Sequence, residues 1–184
     1  MNVSTRNLLD LELPNDIRRL LRVAKLDPAK LTLEITESSI MANQARAMHV
    51  LAALHAIGVR LSIDDFGTGY SSLSHLKQLP VDELKVDKSF VKDMADDEYD
   101  FVIVRATIDL GQKLGLQIVA EGVETEEIQW QLSEIGCDVA QGFHFSRPLP
   151  AEDVSAWIER RATRDLISGP DPSVVESSDA ATPI

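Results

Sequence analysis

Cysteine is all but absent from this sequence: Cys137 is the only one in 184 residues, so no intramolecular disulfide can form, and no Cys/His grouping has zinc-ligand spacing. A reducing, cytoplasmic setting is the expectation. Long apolar runs are missing as well, none approaching the roughly 20 residues that span a bilayer. The opening MNVSTRNLLD carries neither a basic segment nor a hydrophobic one of the kind that directs secretion. The chain itself is therefore expected to make no membrane contact, although a parent protein could be membrane-attached. Positive charge is scarce: 18 Lys and Arg stand against 30 Asp and Glu, a formal net charge of -12. That excess repels nucleic acid backbones and excludes a nucleic acid polymer as partner. A phosphorylated ligand would need cations between itself and the protein. The four histidines, His49, His55, His75 and His144, are scattered without ligand spacing, so packing or surface roles are expected of them.

What the sequence does have is 44% hydrophobic residues, enough for one substantial core and short for two domains. Short apolar runs alternate with segments of helical period, the pattern of a parallel α/β fold. The runs are MNVS, LTLEIT, RLSID, DELKVD, LQIVAE and CDVAQ. Between them, residues 14–25 predict a helix opened by Pro14. Residues 42–57 predict another, with Met48, Leu51, Ala52 and His55 on its inward face and Gly58 at its end. A third, over 99–114, would turn Ile103, Ala106, Thr107, Leu110 and Leu114 inward and stop at Gly115. Thr125 is an expected N-cap for a helix burying Ile128, Leu132 and Ile135. A last helix, about residues 151–163, closes a domain spanning 1–163. Residues 164–184, ending in SGPDPSVVESSDAATPI, are expected to form a disordered tail.

The runs end in polar groups. LTLEITE carries Glu34 and Glu37, LSIDD ends in Asp64 and Asp65, ELKVD holds Lys85 and Asp87, LQIVAEG ends in Glu121, and DVAQG in Gln141. The carboxyl ends of parallel strands face one crevice, which is where such folds keep their chemistry. Adjacent carboxylates there either hold protons at raised pH or bind a cation. Glu34, Asp64 and Asp65, with no cysteine or histidine beside them, suit a hard oxygen-seeking ion such as magnesium or manganese. In a regular strand Asp64 and Asp65 would point to opposite faces, so the chain is expected to leave the strand after them, through Phe66-Gly67-Thr68-Gly69. Taken singly, Glu34 could be a solvated rim residue, Lys85 a partner for Glu83 or Asp87, and Gly67 and Gly69 parts of an ordinary turn. Their recurrence at equivalent strand ends favours the site.

Four ordered stretches, LEITES, DDFGTGYSSLSHLKQLPVDELKVDKSFV, IVAEGVET and DVAQGFHFSRPLP, resemble the successive signatures of the EAL-domain family, bacterial phosphodiesterases that open cyclic di-GMP to linear pGpG. The likeness covers about residues 1–150. It implies a TIM-like (β/α) barrel whose first strand runs antiparallel to the rest. By position, Asn2, Glu34, Asp64 and Asp65 resemble the ligands of two Mg2+ or Mn2+ ions, with Ca2+ expected to inhibit. Lys85 would contact the attacked phosphate or its water, and Glu121 resembles the general base. Gln141 resembles a site-lining residue. Glu37, Gly67, Gly69 and Asp87 would support the DFGTGYSS loop or the substrate, that loop coupling dimer contacts to metal binding. A homodimer or higher association is implied, as are upstream sensor or GGDEF domains in a parent protein.

The resemblance also implies strands that the chain does not show. Six runs are present where a closed barrel needs eight. The family's Glu-Ala-Leu strand, which supplies a further metal ligand, has no counterpart before Asn2. An incomplete barrel truncated at its amino end is the expectation, with an open interior where Leu33, Ile63 and Ile118 meet water and unpaired edges that favour association. Three readings follow: a piece of an active phosphodiesterase, a catalytically inactive receptor for cyclic di-GMP or a protein partner, or a decayed fragment. Retention of Glu34, Asp64, Asp65, Lys85 and Glu121 together favours the first.

Overall fold

The computed structural model describes residues 1–67 and 76–167, the side chains of 162–167 apart. Met1–Phe145 forms one compact unit and Ser146–Ile184 another. The first is built on a five-stranded parallel sheet in sequential order: β1 (Thr32–Thr36), β2 (Arg60–Phe66), β3 (Glu83–Val86), β4 (Gln117–Glu121) and β5 (Val139–Gln141). The sixth expected run, MNVS, is reduced to a single parallel bridge, Asn2 with Glu34. Val3 N–H donates to the Glu34 carbonyl, and Glu34 N–H to that of Met1, both at 2.8 Å. Ser4 then ends the extension, its hydroxyl accepting from Asn7 N–H and capping a one-turn helix, α1 (Thr5–Leu8).

Helices cover one face of the sheet. Around β1 and β2 lie α2 (Leu13–Ala24), α3 (Glu37–Met41) and α4 (Gln44–His55). Around β3 and β4 lie α5 (Lys88–Val91), α6 (Glu98–Lys113) and α7 (Glu126–Glu134). Thr125 caps α7 as expected, its side chain accepting from Ile128 N–H. Strand alternation sends Leu33, Ile35, Leu61, Ile63, Leu84, Val86 and Ile118 to the helix-covered face. Leu33, Ile63 and Ile118 are only 0%, 2% and 0% exposed, so they do not meet water as the open-barrel expectation had it. The opposite face carries Glu34, Ser62, Lys85 and Glu121, of which Ser62 and Lys85 are buried and Glu34 and Glu121 half-buried, so the polar lining is largely sheltered as well as the apolar core.

Two helices are rotated from their expected settings. In α6 the buried residues are Val104, Thr107, Ile108 and Gly111, whereas Ile103 is exposed. Gly111 allows the contact: a Cβ there would lie 2.0 Å from Ile118 Cδ1. In α4 they are Ala47, Val50, Leu51 and Leu54, whereas Ala52 and His55 face outward. In the second unit α8 (Ala151–Ile167) continues past residue 163, so residues 164–167 belong to a helix rather than to a tail. Residues 168–184 lie outside the described residues.

Candidate functional site

The adjacent carboxylates of β2 converge through a bulge. Ile63 pairs with Leu84 and Phe66 with Val86, which leaves Asp64 and Asp65 together opposite Lys85 alone. Asp65 takes up the extra residue with a left-handed backbone, φ +56°. Aspartate is among the few side chains that tolerate that region. The break from strand geometry therefore comes at Asp65 itself, one residue before the Phe66-Gly67-Thr68-Gly69 turn expected to supply it. Gly67 follows with φ +98°, and a Cβ there would approach Phe90 to 3.1 Å.

Lys85 stands at the centre of the polar face. It is 5% exposed, and its ammonium donates to Asp64 Oδ1 at 2.9 Å, contacts Glu121 Oε1 at 2.5 Å and lies 3.6 Å from Glu34 Oε2. Burial alone would lower its pKa, but the bonds to Glu121 and Asp64 outweigh burial and hold it above the ordinary lysine value. Glu121 ends β4 beside Gln141. Burial pushes its carboxyl up against the opposing pull of Lys85. The Asp65 carboxyl is raised too, first by burial and then by the negative charges of Asp64 and Asp87. Asp87 goes the other way. Although burial would raise it, Ser89 donates to it through both hydroxyl and backbone N–H, and its pKa falls.

Carboxylate oxygens of Asp64, Asp65 and Glu121 all lie within 4.8 Å of one another, a set that fits a hard divalent cation. Glu34 joins this group through Lys85. Asn2 is brought beside it by the backbone bridge to Glu34, and Gln141 by its register with Glu121. Glu37 opens α3, is 7% exposed, and its Oε2 has no hydrogen-bond partner among the described residues. Of the DFGTGYSS loop it is expected to brace, Asp65, Phe66 and Gly67 are described, whereas Gly69 and the remainder fall in residues 68–75, outside the described residues. Sequence reasoning missed Ser89 and Phe90. The signal for Ser89 was an Asp two residues ahead of it at a strand end, the usual arrangement of an N-cap.

A family model described as EAL domain matches residues 1–148. The bifunctional diguanylate cyclase/cyclic di-GMP phosphodiesterase MucR of Pseudomonas aeruginosa is 46% identical over 158 residues, which cover 86% of this chain and 23% of MucR. This chain thus spans less than a quarter of that relative's length. Among solved structures, the PaMucR phosphodiesterase in complex with c-di-GMP superposes with a TM-score of 0.80 at 46% identity, over 83% of this chain and 62% of that one. The manganese/cyclic di-GMP complex of Klebsiella pneumoniae BlrP1 superposes with a TM-score of 0.75 at 36% identity, over 80% of this chain and 38% of the other.

Proposed function

Because this chain belongs to the EAL domain family, we propose that it opens one phosphodiester of cyclic di-GMP to give linear pGpG, using divalent cations held at its strand ends. The observation that carries this reading is the convergence of Asp64, Asp65 and Glu121 within 4.8 Å beside the buried ammonium of Lys85. The cyclic di-GMP complex of MucR and the manganese complex of BlrP1 support the substrate and the ion class.

Asp64 and Asp65 would hold Mg2+ or Mn2+ together with Glu34 and Asn2. The bound ions would supply positive charge that acidifies the attacking water and offsets the charge growing on the phosphate. Lys85 offers its ammonium to a phosphate oxygen once it is relieved as counter-ion to Asp64 and Glu121. Glu121, its pKa already raised by burial, accepts the proton of the attacking water at Oε1 while the 3′ oxygen departs. Gln141, beside Glu121, lines the site, and Asp87 and Gly67 shape its rim. Self-association, a cytoplasmic location and attached sensor or GGDEF domains belong to the same reading.

Chromatographic detection of pGpG after incubation with cyclic di-GMP tests it. From a protein that also carries the Glu-Ala-Leu strand ahead of Asn2, turnover is expected with Mg2+ and Mn2+ and suppression with Ca2+, which binds oxygen ligands at longer distances and activates water poorly; from these 184 residues alone it is expected to be feeble. Cyclic di-GMP binding by the longer protein with no turnover in any of these ions would overturn hydrolysis and leave a receptor.

A further inference from the structure

The carboxyl-end site leaves one basic region of this acidic chain unexplained. Residues 18–30, RRLLRVAKLDPAK, carry five basic residues and one acidic. They form the second half of α2, its left-handed exit at Lys25, and a turn at Pro28–Lys30. Between this stretch and the end of α4 lies a groove of about 400 Å3 lined by Arg18, Leu21, Arg22, Leu26, Pro28 and Ile57. Its floor is apolar and one wall is basic. Leu26 is 45% exposed, an open apolar surface beside two guanidiniums. Arg19, on the neighbouring row of the helix, is paired with Asp16 at 2.9 Å. Among the described residues, Arg18 is held only by Asn15 Oδ1 at 3.0 Å, and Arg22 has no ion pair.

We propose that this groove docks an acidic segment of a partner protein, one large apolar side chain entering between Leu21, Leu26, Pro28 and Ile57 while flanking carboxylates meet Arg18 and Arg22. Charge complementarity selects the occupant. Arg18 and Arg22 are four residues apart on one helix, so their heads project on the same side and match two acidic residues one turn apart or on alternate positions of an extended strand. A nucleic acid is disfavoured by the negative charge surrounding so small a basic island. A free phosphate would leave the apolar floor uncovered, and Pro28 brings no backbone N–H to bind it.

The groove is placed for an adaptor role. α2 leads through the Pro28 turn into the amino end of β1, whereas Asp64 and Glu121 sit at the carboxyl ends of their strands. A partner can therefore be held without blocking the crevice, and the inference stands apart from the proposed hydrolysis.

The test is selection of displayed random dodecapeptides on the wild-type chain, with the Arg18→Glu/Arg22→Glu double variant as counter-target. A consensus peptide is then titrated by fluorescence anisotropy. Both arginines are exposed, so the variant is expected to unfold at the wild-type temperature. Enriched peptides should carry a large apolar residue flanked by acidic ones. Their affinity should fall about tenfold or more in the double variant, where two favourable charge contacts become repulsive. Leu26→Ser should weaken them as well. Failure of any peptide to enrich, enrichment of peptides without acidic residues, or equal binding to the double variant would overturn the proposal. So would displacement of the peptide by millimolar inorganic phosphate, which would mark a simple anion site. Self-association abolished by the same double variant would assign the groove to a second copy and overturn it too.

Discussion

The ammonium of Lys85 lies 2.9 Å from Oδ1 of Asp64, at the point where β2 bulges. The contact is the counter-charge for a carboxylate cluster that would otherwise repel itself. A divalent cation entering the cluster competes for the same oxygens.

Replacing Lys85 by Met keeps much of the stem and removes that charge. Glu34, Asp64 and Glu121 are then left uncompensated, with side chains 26%, 15% and 19% exposed. Their partial solvation keeps the loss near about 2–3 kcal/mol, at the low end for a broken buried pair. Urea denaturation without metal measures it. Saturating Mg2+ should return part of the loss by supplying charge to the folded state only. Unchanged stability would remove Lys85 from its counter-ion role.

Asp65 is set by two opposing demands. Its left-handed φ of +56° favours Asn, Asp or Gly, and its raised pKa records the cost of holding charge first against burial and then beside Asp64 and Asp87. Asp65→Gly should therefore be more stable than Asp65→Ala by about 1 kcal/mol, the price of a Cβ in that region. Asp65→Asn should melt at or above the wild-type temperature without metal, since it keeps the backbone preference and drops the repulsion. All three should bind Mg2+ more weakly by calorimetry. An Ala variant as stable as the Gly variant would contradict the bulge.

Acid should weaken metal binding early. Asp65 and Glu121 have raised folded-state values, so the stability they contribute is full below the ordinary carboxylate range and is lost as pH rises through those values. Asp87, lowered, contributes stability above the ordinary range that is lost as pH falls through its own value. A cation needs Asp65 ionised as a ligand, and the charge of an ionised Glu121 beside it strengthens the hold. Mg2+ affinity should accordingly fall in the window just above the ordinary carboxylate range, before ordinary carboxylates take up protons near about pH 4. Calorimetry across that window would contradict the cluster if affinity held steady down to its lower end.

Two glycines differ in what a methyl group would strike. At Gly142 a Cβ would lie 2.1 Å from the Val123 carbonyl oxygen, and Val123 is tied back by N–H to the Gln141 carbonyl and by its own carbonyl to His144 N–H. At Gly111 it would meet side chain rather than backbone, Cδ1 and Cγ1 of Ile118 at 2.0 and 3.1 Å and Cδ2 of Leu84 at 3.7 Å. Gly142→Ala should therefore cost about 3 kcal/mol or more and Gly111→Ala about 1–2 kcal/mol. Thermal unfolding checks the order, and the reverse order would contradict the backbone contact.

Much of this was written in the sequence wherever a local rule acts alone. Strands β1 to β4 fall on the apolar runs, and their polar ends gather Glu34, Asp64, Lys85 and Glu121 because parallel strands share one direction. The setting of α6 was not legible: Val102, Ile103 and Val104 are all apolar, and the inward position at Gly111 is marked by the lack of a side chain. In α4, alanines at 47 and 52 carry too little hydrophobic signal to fix the inward face. The convergence of Asp64 with Asp65 was legible as a requirement, but its means, a positive φ within the strand, is set by pairing with β3. The fate of Leu33, Ile63 and Ile118 was misread because period 2 says which residues share a face, and only the packing of helices says which face is dry.

The central claim is that Glu121 takes the proton of the attacking water beside a cluster that binds the metal and the phosphate. The direct measurement compares wild type with Glu121→Gln for pGpG formation from cyclic di-GMP at matched protein and Mg2+, with equilibrium binding of cyclic di-GMP in parallel. The account predicts that the variant binds within about threefold of wild type while turnover falls by about 100-fold or more, because a base acts in the transition state and not in the bound ground state. Equal turnover by the two proteins would contradict it.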